Sequence, residues 1–127
     1  MSLLLFEGSK KTESRRLAAL SPVDLGVDDV LFTQATIYNT FSNGSRIQTM
    51  IDDLISGAMC APDVPPVRVR KYCGLWYALD NRRLYCLKAA RCGTVRFWDV
   101  TDTQSSEEFW NKRAQGGRGS GFTVEVI

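Results

Sequence analysis

Between Ser45 and Gly57, the residues Ile47, Met50, Ile51, Leu54 and Ile55 recur at i, i+3, i+4, i+7 and i+8. That spacing forms one apolar stripe along an α-helix. Ser45 reads as the N-cap, because its hydroxyl can accept from an amide of the first turn. Gly57 reads as the residue that ends the helix, since glycine adopts the left-handed turn at no steric cost. Phe41-Ser42-Asn43-Gly44-Ser45 before it is a turn.

The flanking segments carry a different period. Val30-Leu31-Phe32, continued by Ala35 and Ile37, reads as a strand entering the core, with ordered structure expected from Asp29 onward. Pro62 to Pro66 forces a loop. Val67-Arg68-Val69-Arg70 alternates at period two, Gly74 marks a tight turn, and Leu75-Trp76-Tyr77-Ala78-Leu79 reads as the returning strand. Asp80 is expected to cap a second helix, Asn81 to Arg91, ended by Gly93, and Thr94 to Val100 forms another strand. The order strand, helix, hairpin, helix, strand makes a small α+β domain with a mixed sheet and two main helices. We place that domain at residues 28–102. Residues 1–27 read as an irregular N-terminal arm with a short helix near Arg15–Leu20. Residues 103–127 read as a C-terminal extension: a helical piece from Ser106 to Arg113, a flexible Gly116–Gly121 linker, and a terminal strand, Phe122–Ile127, pairing with a sheet edge.

The chain contains no histidine among its 127 residues. This excludes a Ser-His-Asp triad, a Cys-His pair, a His-bearing zinc site and an imidazole base. Cys60, Cys73, Cys86 and Cys92 form no CxxC pair and read as buried free thiols, with no metal site expected. No apolar run approaches the ~20 residues of a membrane helix. The chain is therefore expected to be soluble and intracellular, cytoplasmic or nuclear, with no membrane partner.

The net charge of +2 conceals a strong asymmetry. Residues 67–98 hold eight basic groups against Asp80 alone, whereas the segments on either side are net acidic. Within this block Asp80-Asn81-Arg82-Arg83 lies where a strand becomes a helix. Free N–H groups and the positive end of the dipole point outward there. Two arginines in a first turn work against that dipole, by about 0.3–1 kcal/mol each. They make sense if an anion such as phosphate occupies the spot. Equally, they fit a structural ion pair with Asp28, Asp29, Asp52 or Asp53.

The span from Phe32 to Val100 resembles the ParB N-terminal/sulfiredoxin-like superfamily, in its ParB-like branch. There a strand-hairpin-helix unit ends in a phosphate-binding signature: Gly-Glu-Arg-Arg-x-x-Ala in ParB-like members, Gly-Cys-His-Arg in sulfiredoxins. The matching run here is Asp80-Asn81-Arg82-Arg83-Leu84-Tyr85-Cys86. Gln34 and Phe41-Ser42-Asn43-Gly44 resemble the loop that closes the same pocket.

The resemblance implies a stand-alone domain binding a phosphate-bearing ligand, a nucleotide above all. Arg82 and Arg83 would hold phosphate oxygens, Asn81 would offer its amide, and Gln34, Ser42 and Gly44 would line the opposite wall. Mg2+ would accompany a nucleotide. A nucleotide triphosphatase or nuclease-like activity is open: the family's acidic residue is replaced by Asn81. Asp80, one position earlier, is the catalytic candidate, as a magnesium ligand, a water-orienting group or simply the helix cap. Sulfiredoxin chemistry is not expected, because Asn81 stands where the reactive cysteine would be and Cys86 points to another face.

Two other classes remain. One is a non-catalytic nucleic-acid binder contacting phosphates through the basic block, with Trp76, Tyr77, Tyr85 and Trp98 as stacking surfaces or as ordinary packing. The other is a protein interaction module whose arginines are satisfied internally.

Overall fold

The computed structural model describes residues 21–102, 106–115 and 121–127. Its strands are β1 (Ser21–Gly26), β2 (Val30–Phe32), β3 (Thr36–Ile37), β4 (Arg68–Tyr72), β5 (Leu75–Ala78), β6 (Thr94–Asp99) and β7 (Glu125–Val126). Its α-helices are α1 (Ile47–Ser56), α2 (Asn81–Ala89) and α3 (Ser106–Gln115). The strands form a five-stranded sheet in the order β1-β6-β4-β5-β2 and a separate β3-β7 pair. The pairs β1/β6 and β4/β5 are antiparallel, and β4/β6 and β2/β5 are parallel. The domain is thus α+β with a mixed sheet.

Strand alternation sorts the core into two layers. Val30 and Phe32 of β2, Val69 of β4, Ala78 of β5 and Phe97 of β6 join Leu84 and Leu87 of α2 on one face. Leu31 and Tyr77 point the other way and pack with Leu79, Val100 and Phe109 of α3. Helix α1 lies against α2 through Ile47, Ile51 and Cys86, with Ile37 of β3 beside them. Ile55, the last member of the α1 stripe, is exposed.

Several expectations are corrected in detail. The arm expected at 1–27 is not irregular at its end. Ser21–Gly26 forms a full edge strand on β6, Val23 and Leu25 pack against the core, and Val27 is buried within it. Pro22, Asp24 and Gly26 interrupt the hydrophobic signal while the alternation survives beneath them. The expected helix at Arg15–Leu20 lies outside the described residues.

Val30 to Ile37 is two strands, not one. Thr33 is buried and its hydroxyl donates to the Ala78 carbonyl at 2.8 Å, so the chain leaves the sheet there. Ser45 does not cap α1. Its N–H and hydroxyl donate to Asn43 Oδ1, and the Ile47 N–H finds the Asn39 carbonyl instead. Gly57, at φ +86°, does end the helix.

The C-terminal residues belong to the same body as the sheet. Phe109 is fully buried, and β7 runs parallel to β3 rather than along the main sheet's edge. Most of the expected glycine linker lies outside the described residues. Gly121 is buried, and its carbonyl accepts from the Phe32 N–H at 2.7 Å.

Candidate functional site

The hairpin β4–β5 delivers the chain to α2 at Asp80, and the loop after β3 approaches that point from the other side. Between them lies a cleft of about 330 Å3. Its lining includes Gln34, Ser42, Asp80, Asn81, Arg82 and Arg83, with Lys112 arriving from α3. Phe41, Met50 and Pro65 supply apolar surface.

Asp80 occupies the N-cap position of α2 but makes no side-chain capping bond. Its carboxylate is engaged by Arg68: Oδ2 accepts from the Arg68 N–H at 2.8 Å and from Nε at 3.0 Å, and Oδ1 accepts from Nη2 at 2.9 Å. The same guanidinium donates to both oxygens of Glu108 on α3, at 2.9 Å each. Glu108 in turn pairs with Lys112 at 3.0 Å. Burial alone would push the Asp80 carboxyl upward, but the Arg68 hydrogen bonds outweigh it and hold the group below the usual carboxylate range. Glu108 is lowered in the same way, by Arg68 and Lys112 against its own burial. Asp80 is therefore a structural anion joining hairpin, helix and α3. The side-chain cap expected of it does not form.

With Asp80 withdrawn, the first turn of α2 is left open. Leu84 donates to the Asp80 carbonyl at 3.1 Å, the first bond of the helix. The N–H groups of Asn81, Arg82 and Arg83 have no acceptor among the described residues. This is the ordinary condition of a helix start, and it creates positive potential at the cleft.

Neither arginine beside it is neutralised by a close carboxylate. Arg82 Nη1 donates to the Thr40 carbonyl at 2.7 Å, and Arg83 Nη1 to the Pro66 carbonyl at 2.8 Å. Arg83 approaches Asp80 only at 4.0 Å. The ion pairs with Asp28, Asp29, Asp52 or Asp53 weighed above are not formed by either arginine. Lys112 completes the cationic side, donating to the Leu79 carbonyl as well as pairing with Glu108. Arg68, Arg82, Arg83 and Lys112 face two carboxylates, Asp80 and Glu108, leaving an excess of two positive charges.

Asn81 lines the cleft but is 3% exposed, and its amide is committed inside the protein. Oδ1 accepts from the Thr33 N–H at 2.9 Å, and Nδ2 donates to Thr33 Oγ1 at 2.9 Å and to Gln34 Oε1 at 3.1 Å. Both of its donor hydrogens are thereby used. The amide offered to a ligand is corrected to a clamp fixing the β2–β3 turn against α2. Gln34 and Ser42 do line the opposite wall. Gly44 does not reach the cleft surface. At φ +87° it shapes the Phe41–Ser45 turn, donating to the Phe41 carbonyl at 2.9 Å.

The basic block does not gather into one patch. Pairing register places Arg70 and Lys71 on opposite faces of the sheet, and Arg96 pairs with Asp24 on β1. Tyr77 is buried, and Trp76, Tyr85 and Trp98 are half-buried. They serve mainly as packing.

The cysteines are free, but not uniformly buried: Cys60 and Cys73 are exposed, Cys92 is half-buried, and only Cys86 is buried, its thiol pushed up to about 12 by burial. No cluster of three Cys, Asp or Glu residues suited to a metal ion occurs among the described residues, and no helix there is long and apolar enough to cross a membrane.

Sequence reasoning missed Lys112, Met50 and Pro65. The Glu108/Lys112 spacing at i,i+4 was visible, but nothing in it shows that α3 lies over the hairpin. No protein-family model matches the chain, and a search of curated proteins finds no match.

Proposed function

We propose that the chain binds a phosphate-bearing ligand, a nucleotide above all, in the cleft at the start of α2, as a domain of the ParB/sulfiredoxin-like kind. One observation carries the reading: Arg82, Arg83 and Lys112 border a cleft whose only lining carboxylate among the described residues is already held by Arg68. A cationic cavity with an internally neutralised acid favours an anion. The open amides of the α2 first turn add donors of the right polarity. Phe41, Met50 and Pro65 offer the apolar contact that a nucleobase needs.

The described residues do not fit a protein-held magnesium ion, because Asp80 is committed to Arg68. The proposal is accordingly one of binding, with no hydrolytic step assigned. A backbone-directed nucleic-acid surface spread across the whole basic block is less well supported, since its charges lie on opposite faces of the sheet.

Isothermal titration with ATP and CTP, with and without magnesium, tests the reading. Saturable heat is expected, and Arg83→Ala should weaken binding about tenfold or more, the scale of one charge-assisted contact. If neither nucleotide gives heat and the substitution changes nothing, the site is not a phosphate site.

A further inference from the structure

A second cavity of about 320 Å3 shares Gln34, Arg82 and Lys112 with the first. It runs along the β3 segment from Gln34 to Tyr38, and Tyr38 is 67% exposed. Ligand cavities commonly measure about 300–1,000 Å3, so either lobe alone lies at the small end of that range.

The two lobes are joined by more than position. Arg82 is held by the Thr40 carbonyl at 2.7 Å, and Thr40 lies in the short segment that carries Tyr38 at one end and Phe41 at the other. The guanidinium lies 5.9 Å from the Phe41 ring centroid. Each lobe thus has an aromatic ring, Phe41 half-buried in the first and Tyr38 exposed in the second. The shared waist has two cations, Arg82, which no carboxylate pairs among the described residues, and Lys112, which is paired with Glu108.

Resting on the phosphate reading above, the geometry points to a dinucleotide unit as the ligand class: two nucleosides joined by one phosphodiester, rather than a mononucleotide. One base lies against Phe41, Met50 and Pro65. The linking phosphate sits over Arg82 and Lys112, and the second base stacks on Tyr38. Stacking on an aromatic ring is tolerant of base identity, so the site reads the repeat of the nucleic-acid chain and not its sequence.

The test compares adenosine 5′-monophosphate with the dinucleoside monophosphate ApA by isothermal titration into the full chain. ApA should bind about tenfold more tightly, the scale of one added stacking contact, although its diester carries less charge than the monoester. Tyr38→Ala should abolish that advantage and leave adenosine monophosphate binding unchanged, and Tyr38→Phe should retain it. Equal affinity for the two ligands, or an equal loss of both in Tyr38→Ala, overturns the second base site while leaving the phosphate site intact. Failure of both ligands to bind while ATP or CTP still gives saturable heat overturns the dinucleotide inference alone, and failure of all four overturns the phosphate reading with it.

Discussion

Replacing Asp80 with alanine separates the roles this residue was open to. A simple N-cap loses about 1 kcal/mol when truncated to alanine. Asp80 instead accepts three hydrogen bonds from Arg68, at 2.8, 2.9 and 3.0 Å, with its side chain 14% exposed and that of Arg68 29% exposed. Breaking a buried pair from one side costs about 3–5 kcal/mol, because the remaining charge is stranded. Here Arg68 keeps Glu108 as a partner and is not fully buried, which lowers the expected loss to about 2–3 kcal/mol. Urea unfolding followed by tryptophan fluorescence reads this directly. With a slope of about 1–3 kcal/mol per M for a small domain, the midpoint should fall by about 0.7–3 M. A double-mutant cycle with Arg68→Met should show coupling of at least about 1 kcal/mol. A loss confined to about 1 kcal/mol together with additive single effects would refute the network and restore the cap.

The same network sets an acid limit. Asp80 and Glu108 have carboxyls below their ordinary values of about 3.9 and 4.3, so their stabilisation is full above pH ~5 and is lost as the pH falls through the folded-state values. Urea midpoints from pH 7 to pH 2 should therefore drop steeply below pH ~4 in the wild type and less steeply in Asp80→Ala, and parallel slopes would contradict this. Asn81→Ala should cost about 1–3 kcal/mol by stranding the buried Thr33 N–H. If Asn81 were a ligand contact alone, nucleotide affinity would fall with the unfolding midpoint unchanged. Gly121→Ala should destabilise by about 1–3 kcal/mol, because at φ +84° the added carbon would lie 3.1 Å from the Phe32 carbonyl oxygen and 3.2 Å from Leu31 Cβ. An unchanged thermal midpoint would show that this contact relaxes freely.

The legible part of the fold was the part governed by local periodicity. The α1 stripe, the β4–β5 hairpin and the β6 alternation each signal themselves within about ten residues, and each forms where expected. Strand β1 was obscured because a six-residue alternation containing Pro22 and Gly26 is weak until β6 lies beside it. The break at Thr33 depends on the Ala78 carbonyl, 45 residues away, and no local pattern encodes that bond.

The site divides along the same line. Gln34, Ser42, Arg82 and Arg83 come together as expected because they flank recognisable turns and helix starts. Asn81 and Asp80 changed roles because their partners, Thr33 and Arg68, are set by tertiary contacts. Lys112 joined the cleft only through the packing of Phe109 beneath it, since the fully buried ring fixes which face of α3 turns toward the hairpin.

The first turn of α2 is where the account stands or falls. Titrating pyrophosphate into the 15N-labelled chain and following amide chemical shifts tests it directly. The account predicts saturable shifts that are largest at Asn81, Arg82 and Arg83, extend to Gln34 and Ser42, and weaken in Arg83→Ala. Shifts centred on Arg70, Lys71 or Arg96, or none above those caused by matched ionic strength, would contradict it.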